Sequence, residues 1–438
     1  MDEFGGEKMD YYILLGLNRR EIKIINIKEE RGKIVVELKS RKEKVRCPMC
    51  NKFTSSVHDK LNPIRSVYLD SCGKEVNLII TKRRFNCYKC SKRFTEQLDL
   101  NTKGGNISNK TKIQIRKDLL DYNLTIDKIA IKNHISKYIV RKELEEATSM
   151  IPKIRKNLPE VISFDEFKAD TKEGKYAFIL TDPIHKKVLD VLPNRKKEYL
   201  VNYFTHTNNR YSVKFVISDM YEPYLLVQKA MFPHAKYVVD KFHYIKYIMK
   251  ALDDVRIRLQ KEYGEKSKEY KLLKNKKNVS LLRKYSNEID WFVYVKRYKN
   301  GNVIYRTPYM IREELLNISD ELKRGYQLKE LFLDIINHTN YKDARKQLLD
   351  FIDLCKESKI EEFIEASKTI ENWLPYIVNS FIDERYTNGY TEGVNNKIKV
   401  IKRVAFGYKS FEFLRRRILY IFNNTISGGK TSGRKNNK

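Results

Sequence analysis

Two short cysteine motifs constrain the folding of this chain more than any other feature. The segments CPMC and CYKC supply four thiols, at Cys47, Cys50, Cys87 and Cys90. Two CxxC pairs provide the tetrahedral thiolate set of a structural Zn²⁺ site, although residues 51–86 make a longer gap than is common. Buried or redox-active thiols are the alternative. We predict that one zinc ion organises the N-terminal region.

Strand patterns surround the cysteines, so residues 1–100 are expected to form a β/zinc-finger domain. The β-rich runs Glu21–Lys28 and Lys33–Ser40 flank a turn at Gly32, and a third run, Lys74–Phe85, can fold back to close the gap between the motifs. The other cysteines, and the histidine between the motifs, are expected to be structural rather than further ligands: His58, Cys72 and Cys355.

The chain carries a large excess of positive charge, with 88 Lys and Arg against 56 Asp and Glu and a net charge of +32. Such an excess favours a polyanionic partner, most simply nucleic acid, with a membrane surface as the rival. No segment approaches the ~20 unbroken apolar residues of a membrane span, and the acidic N-terminus is unlike a signal peptide. We therefore expect a cytoplasmic protein whose cysteines are reduced and available to a metal.

Basic residues concentrate around the second cysteine motif, in the segment KRRFNCYKCSKRF. This segment contains no acid and three aromatic residues, which suits contact with phosphates supported by stacking or packing of the rings. A solvated basic surface is the alternative. The candidate DNA-binding residues here are Arg83, Arg84, Lys92 and Arg93.

Residues 101–150 are predicted to contain a helix-turn-helix. Thr125 and Ser136 can each cap a helix, and Asn133-His134 can form the turn between them. The second helix has polar and basic residues at its N-terminal end, as a recognition helix needs for a DNA groove. Any helical hairpin looks similar, so the adjacent basic zinc region is what favours DNA binding. The candidate contacts are Lys137, Arg141 and Lys142.

From Glu160 the chain alternates short strands with helices, which indicates an α/β core with three antiparallel strands first and crossovers later. Two apolar strand runs end in an acid, Asp165 and Asp219. We expect both acids at the C-terminal ends of their strands, where α/β sheets keep their ligands. A helix N-cap is the alternative role for a single acid in such a place.

A third acid, Glu392, lies in the basic helical stretch NGYTEGVNNKIKVIKR. At 100° per residue it shares one face with candidate DNA contacts Asn396, Lys399 and Arg403, while Val394, Ile398, Ile401 and Ala405 lie opposite. The apolar side can pack on the sheet and turn Glu392 toward the strand ends. A surface ion pair, worth only ~0–1 kcal/mol, is the alternative.

The three acids Asp165, Asp219 and Glu392 suit magnesium chemistry. Phosphodiester transfer uses a pair of Mg²⁺ ions about 4 Å apart to steady the attacking and leaving oxygens. Hard cations such as Mg²⁺, or Mn²⁺ in its place, prefer oxygen ligands. Because the metals generate the nucleophile, no histidine base is required.

Several of these segments together resemble a known family. The order is CPxC…CxxC, a helix-turn-helix, and then SFDEF, ISDMYEPY, YVVDKFH and TEGVNNKIKVIKRVAFGY. This order resembles the bacterial insertion-sequence transposases of the ISL-three group, within the DDE superfamily. The match runs from about Met9 to Phe422, and the DKFH and EGVNNKIKxIKR segments are its most specific parts.

The resemblance implies an α/β ribonuclease-H-like catalytic core with a helical insertion, preceded by the small zinc-binding β domain and the helix-turn-helix. The catalytic domain would span 151–425, with the insertion at about 245–380. Composition, not the resemblance, indicates that the basic tail at 426–438 is disordered, because it has almost nothing to bury. The catalytic acids would be Asp165, Asp219 and Glu392. Asp240 and His243 would belong to a recurring motif near the site, and His243 would either be core or touch DNA.

The activity that the resemblance implies is strand cleavage by water at the transposon ends, followed by attack of the freed 3′-hydroxyl on target DNA. The partners would be double-stranded DNA, as terminal inverted repeats and target, and further copies of the chain in a dimer or larger synaptic complex. The location would be the nucleoid of a bacterial cytoplasm. A related nuclease without strand transfer, and a non-catalytic zinc and helix-turn-helix regulator, are the alternatives.

Overall fold

The computed structural model describes residues 11–71, 73–98, 100, 106–299 and 302–424. Cys72 and the predicted disordered tail at 426–438 lie outside these residues. The described chain forms two compact units. The first contains the chain through Pro152, Lys399–Tyr408 and the chain from Glu412, and the second contains Lys153–Ile398 and Lys409–Phe411.

The first unit opens with a short helix and a series of strands. They are α1 (Tyr11–Leu14), β1 (Ile22–Glu30), β2 (Lys33–Ser40), β3 (Val45–Arg46), β4 (Phe53–Thr54), β5 (Val57–Lys60), β6 (Ile64–Val67), β7 (Val76–Thr81), β8 (Arg83–Asn86) and β9 (Arg93–Thr95). A four-stranded sheet has the order β1-β2-β7-β6, and two smaller sheets pair β3 with β4 and β5-β8-β9.

The β1–β2 hairpin forms as its sequence indicates. Glu30 pairs with Lys33, and the two loop residues Arg31 and Gly32 both have positive φ, as a type I′ turn requires. The predicted single strand Lys74–Phe85 is instead two strands, β7 and β8. The break at Lys82 moves the chain from the larger sheet, where β7 pairs with β6, to the smaller one, where β8 pairs with β5.

Four helices complete the first unit: α2 (Asn109–Asp118), α3 (Ile126–Lys132), α4 (Lys137–Ala147) and the C-terminal α15 (Phe411–Asn424, from Glu412 onward). The Thr125 and Ser136 hydroxyls cap α3 and α4, and His134 has the positive φ of a tight turn between them. Tyr420 of α15 packs with the buried apolar residues of α2–α4. Arg417 is buried and donates to the carbonyls of Leu119, Asp121 and Leu124, which follow α2.

The second unit contains a five-stranded sheet with two covering helices. Its elements are β10 (Val161–Thr171), β11 (Gly174–Asp182), β12 (Lys187–Leu192), α5 (Lys197–Thr205), β13 (Phe215–Ser218), α6 (Glu222–Met231) and β14 (Lys236–Val239). The sheet order is β12-β11-β10-β13-β14, with β10, β11 and β12 antiparallel and β10, β13 and β14 parallel. Phe164 packs on Phe178 and Phe204 in the core of this α/β unit.

After β14 the chain is mainly helical, as predicted. The elements are α7 (Lys241–Glu262), α8 (Lys268–Lys274), α9 (Lys276–Arg283), β15 (Val295–Lys299), β16 (Asn302–Arg306), α10 (Pro308–Leu316), α11 (Asp320–His338), α12 (Tyr341–Glu357), α13 (Glu361–Val378) and α14 (Gly389–Val404). The β15–β16 hairpin was missed, although its sequence has an Asn-Gly pair between runs rich in Val and Tyr. In the described residues, no helix has the length and apolarity to cross a membrane.

Candidate active site

The register of two neighbouring strands places two acids side by side. On the parallel strands β10 and β13, Ser163 pairs with Ile217, so Asp165 and Asp219 each lie two residues beyond the same pair. Side chains alternate along strands, so both acids share one sheet face. The expected position of Asp165 at a strand end is wrong, because β10 continues to Thr171 against antiparallel β11. The parallel partner β13, however, ends at Ser218, just before Asp219.

The environment of these acids disfavours two negative charges. Burial raises the pKa of Asp165 to about 7, and the charge of Asp219 adds to the shift. The backbone N–H of Glu166 donates to Asp165 at 2.7 Å and acts in the opposite direction. Two carboxylates that repel each other in a partly buried site form a donor set suited to a divalent cation, because a cation removes the repulsion that raises this pKa.

The start of α7 contributes the histidine of the DKFH motif. His243 Nε2 lies 2.8 Å from Asp219 Oδ1, and this hydrogen bond raises the pKa of His243. Asp240 is buried at the N-terminus of the same helix and accepts the backbone N–H of Asn388 at 2.8 Å. Burial raises the pKa of Asp240. Asp240 therefore connects α7 to the start of α14, while His243 contacts a candidate catalytic acid.

Two asparagines of α14 contact the strand acids. Asn395 donates to Asp165 Oδ2 at 2.8 Å and to the Glu166 carbonyl at 3.2 Å, and its own Oδ1 is buried without a partner among the described residues. Asn388 accepts from the Ser163 hydroxyl and lies 3.4 Å from Asp219 Oδ1. Neither residue was among the predicted site residues. At 100° per residue, Asn395 falls at the border between the apolar and charged faces of the helix, so the helical repeat gave no clear signal for it.

Glu392 lies on the exposed side of α14, next to these contacts. Its helix shows the predicted division: Asn396, Lys399 and Arg403 are exposed, Val394, Ile398 and Ile401 are buried, and Ala405 lies beyond the helix end and is only half-buried. Asn388, Glu392 and Asn395 are i, i+4 and i+7 neighbours, so Glu392 lies between the two asparagines along the helix. The described part of the chain contains no carboxylate group of three whose oxygens are all within 4.8 Å.

The four predicted cysteines come together in the first unit. Cys47 and Cys90 have their Sγ atoms 3.6 Å apart, the Cys50 and Cys87 pair is at 3.5 Å, and all four lie within 4.8 Å of one another. In the first motif, Asn51 follows the second cysteine with positive φ, and Ser91 does the same in the second motif. These turns direct backbone N–H groups at sulfur. In particular, the N–H of Cys90 lowers the pKa of Cys87 to about 6. A tetrathiolate of this kind fits Zn²⁺.

Residues 162–418 match a family model for the DDE transposases of the ISL3 group, whose description is 'Transposase'. This region contains the five-stranded sheet, both strand acids and α14. The chain belongs to the ISL3 transposase family. A second pattern, a zinc-finger of the transposases IS204, IS1001, IS1096 and IS1165, matches residues 43–90, which hold all four cysteines. The predicted family is confirmed.

Individual relatives of this chain match over part of their length. The transposase for insertion sequence element IS1001 of Bordetella parapertussis is 27% identical over 266 residues, which is 60% of this chain and 61% of the relative. An ATP-dependent protease of Lactococcus lactis subsp. lactis is 32% identical over 131 residues, or 30% of this chain and 40% of that protein. The chain thus spans less than two thirds of either relative, and the family assignment rests on the pattern match.

The basic residues predicted near the zinc ribbon of this chain have different surroundings. Arg83 is half-buried and donates to the buried carboxylate of Glu96 at 2.8 Å, and Arg84 lies 3.5 Å from Asp59. Lys92 and Arg93 are exposed. The Arg83 guanidinium is therefore engaged within the fold, while the other side chains remain at the surface.

The basic residues of α4 are all near the surface. Lys137 forms an exposed ion pair with Asp127 at 2.7 Å, and Lys142 is exposed. The Arg141 guanidinium lies 5.7 Å from the ring centre of Phe413 on α15. Exposed ion pairs contribute little to stability, so these residues are available to an anionic partner at small energetic cost.

Proposed function

We propose that this transposase binds the ends of its insertion sequence and catalyses metal-dependent DNA strand cleavage and strand transfer. The observation that carries the proposal is the placement of Asp165 on β10 beside Asp219, which directly follows the parallel strand β13, with mutual repulsion that a bound cation would relieve. A regulator that only binds DNA has no use for two repelling acids in this position. The family membership supports the same reading.

The fold supports a ribonuclease-H-like assignment of the second unit. Three antiparallel strands are followed by two parallel ones added on the other side of β10, so the first strand of the sheet is central. The acids lie where the parallel pairing of β10 with β13 ends, the region in which open α/β sheets bind ligands. The helices between Lys241 and Val378 form the insertion in this proposal.

Magnesium, or manganese in its place, would be held by Asp165, Asp219 and Glu392. When bound, such ions activate the attacking hydroxyl or water and stabilise the leaving oxygen. Glu392 is the proposed third acid because it lies one turn from each of two asparagines that reach the strand acids. Asn395 fixes the Asp165 carboxylate, and His243 holds Asp219. These contacts orient the acids before DNA binds.

The first unit is proposed to bind the DNA ends of the insertion sequence. Four thiolates would hold a structural zinc ion, and α3 and α4 would act as a helix-turn-helix with α4 in the DNA groove. The proposed DNA contacts include Lys137, Arg141 and Lys142, with Lys399 and Arg403 on α14. Joining two transposon ends to target DNA requires at least two copies of the chain, so a synaptic dimer or larger complex is proposed.

A gel assay with labelled insertion-sequence ends, target plasmid and Mg²⁺ or Mn²⁺ tests the proposal. The expected products are cleaved ends and ends joined to the target. Cleavage without joining would support the nuclease alternative, and binding without cleavage the regulator.

Glu392→Gln should remove nearly all product and leave the melting temperature close to that of the wild type. Glu198→Gln, at an exposed position of α5, is the matched control. Equal activity in both variants would mean that Glu392 is an ordinary surface residue.

Replacing Asn395 with alanine should reduce cleavage by about 10- to 100-fold, as loss of residues that orient metal ligands typically does. The variant removes the hydrogen bonds to Asp165 and to the Glu166 carbonyl. Initial rates of end cleavage at saturating DNA measure the effect, with Asn202→Ala on the exposed side of α5 as the control. An unchanged rate in a folded Asn395→Ala protein would contradict the orienting role.

Lys142→Ala should weaken binding to the insertion-sequence ends without changing cleavage at saturating protein. If Lys142 contacts a base, the loss should be about 1–3 kcal/mol and specific to the end sequence; a phosphate contact would weaken all DNA equally. Fluorescence anisotropy with end DNA and random DNA measures both. Lys346→Ala, an exposed lysine of α12, is the control. No loss on either DNA would count against α4 as the recognition helix.

A further inference from the structure

The first unit contains a cavity of about 1070 Å³ that is rich in cations. Its lining includes five basic side chains: Lys42, Lys82, Lys92, Arg93 and Lys110. Among the described lining residues, the carboxylates are those of Glu21 and Glu96. The cavity lies beside the four-stranded sheet and the β8–β9 pair, within one unit, and none of the strand acids of the candidate active site belongs to it.

Both lining carboxylates already have cationic partners. Glu21 lies 3.2 Å from Lys42, and the Glu96 carboxylate accepts the guanidinium of Arg83, a residue outside the lining, at 2.8 Å. Glu96 also accepts the Arg83 backbone N–H at 2.8 Å. The acids therefore neutralise Lys42 and Arg83, and the other lining cations keep their charge.

Lys82 is the unusual member of this set. Lys82 is only 8% exposed. In the described part of the chain its ammonium makes no hydrogen bond or ion pair. Burial lowers the pKa of Lys82, and Glu96 only partly offsets this. Because Lys82 lines the cavity, its ammonium can meet an anion that enters there. A buried cation without a partner is costly unless an anion joins it.

We propose that this cavity binds a phosphate group, with the Lys82 ammonium as its inner ligand and the exposed Lys92 and Arg93 as outer ligands. Lys82 is the residue at which the strand leaves the four-stranded sheet for the sheet that carries the second cysteine motif, so the fold fixes its position. Phosphate suits a site with several separate N–H donors and a positive balance. With a DNA backbone as the source of the phosphate, the site deepens the proposed DNA binding by the first unit and rests on it; cleavage and strand transfer do not require it.

Two sources can supply the phosphate group: a DNA backbone or free inorganic phosphate. The test uses full-length, zinc-loaded protein at constant ionic strength, titrated with inorganic phosphate against chloride. The melting temperature and the ³¹P line width of phosphate should both change saturably. Lys82→Met keeps an unbranched apolar stem and removes the charge, so its phosphate affinity should fall by about 10- to 100-fold. Lys39→Met, an exposed lysine of β2 outside the cavity, should behave as the wild type.

A second titration identifies the source. The logarithm of DNA affinity is measured against the logarithm of salt concentration for the wild type and both variants. If a backbone phosphate occupies the cavity, Lys82→Met should lower the slope by about one. If Lys82→Met loses phosphate binding but keeps the salt-dependence slope of the wild type, the site is supported and its ligand is free phosphate.

The proposal is overturned if wild-type protein shows no saturable response to phosphate, or if Lys82→Met responds as Lys39→Met does. In phosphate-free buffer Lys82→Met should melt at or above the wild-type temperature, because a buried unpaired charge is gone. Should Lys82→Met not fold, Arg93→Gln at the exposed side of the cavity replaces it and should weaken phosphate binding severalfold. Unchanged binding in Arg93→Gln would then reject the site.

Discussion

Asp165→Asn is expected to reduce end cleavage and strand transfer by a factor on the order of 10⁴, the range seen when a member of a catalytic unit is removed. Asparagine keeps the size but has one oxygen acceptor in place of two, so it can replace the contact with Asn395 or the one with the Glu166 N–H, and the charge that would hold a divalent ion is lost. Asp219→Asn should have the same effect. Binding to transposon ends should persist or increase, since a negative charge near the DNA phosphates is gone. Cleavage assays with Mg²⁺ and Mn²⁺, alongside anisotropy, measure both.

The same variant should be more stable than the wild type without metal. The folded pKa of Asp165 is about 7, above the value of about 4 expected for the unfolded chain. A raised folded pKa means that stability is lost as the pH rises between these two values. Asp165→Asn removes this loss, so its melting temperature should exceed that of the wild type by more at pH 8 than at pH 5. Asp350→Asn on α12 is the control, and full cleavage by Asp165→Asn would refute the assignment.

Replacing Cys87 and Cys90 with serine should unfold the zinc ribbon. Structural zinc contributes about 10–16 kcal/mol in small zinc-finger peptides, comparable to the whole stability of a domain. The described strands around the cysteines cannot replace it, because β5 is fully exposed and the core of the four-stranded sheet takes no residue from β3, β4, β5, β8 or β9. End binding should fall strongly, while the second unit keeps its own melting transition.

Elemental analysis and hydrogen exchange measure this loss. Freshly purified wild-type protein should contain about one zinc per chain, and the double variant none. Fast exchange should appear in residues 43–60 and 83–95, which hold β3, β4, β5, β8 and β9, and not in the four-stranded sheet or the second unit. Cys355→Ala, which removes a buried thiol of α12 far from the cysteine set in sequence, should keep its zinc. Wild-type protein without zinc would remove the assignment.

The sequence predicted those parts of the fold that depend on one short motif each. The two CxxC pairs, the Thr125 and Ser136 caps and the β1–β2 turn all formed as their chemistry indicated. The position of Asp165 could not be read in this way, because an apolar run ends there although the strand continues. The antiparallel pairing of β10 with β11 continues past Asp165, whereas its parallel pairing with β13 ends before Asp165. These long-range pairings cannot be read from the apolar run alone.

The asparagines were missed for a related reason. The helical repeat of α14 separates buried from exposed positions. Glu392, Lys399 and Arg403 were predicted as site residues because they are charged. Asn388 and Asn395 carry no charge, so composition does not mark them. Their role depends on which strand acids the helix meets, and that is a long-range contact between residues more than 160 positions apart in sequence.

The packing of α15 with α2–α4 has a consequence for synthesis. A ribosome makes residues 109–147 long before residues 412–424, yet Tyr420 and Arg417 complete the core and hydrogen bonding of those early helices. The proposed DNA-reading helices therefore cannot reach their final packing until α15 has been synthesised. A message broken before α15 yields a first unit whose helical core is incomplete, so under the proposed function unfinished copies would compete poorly for DNA ends.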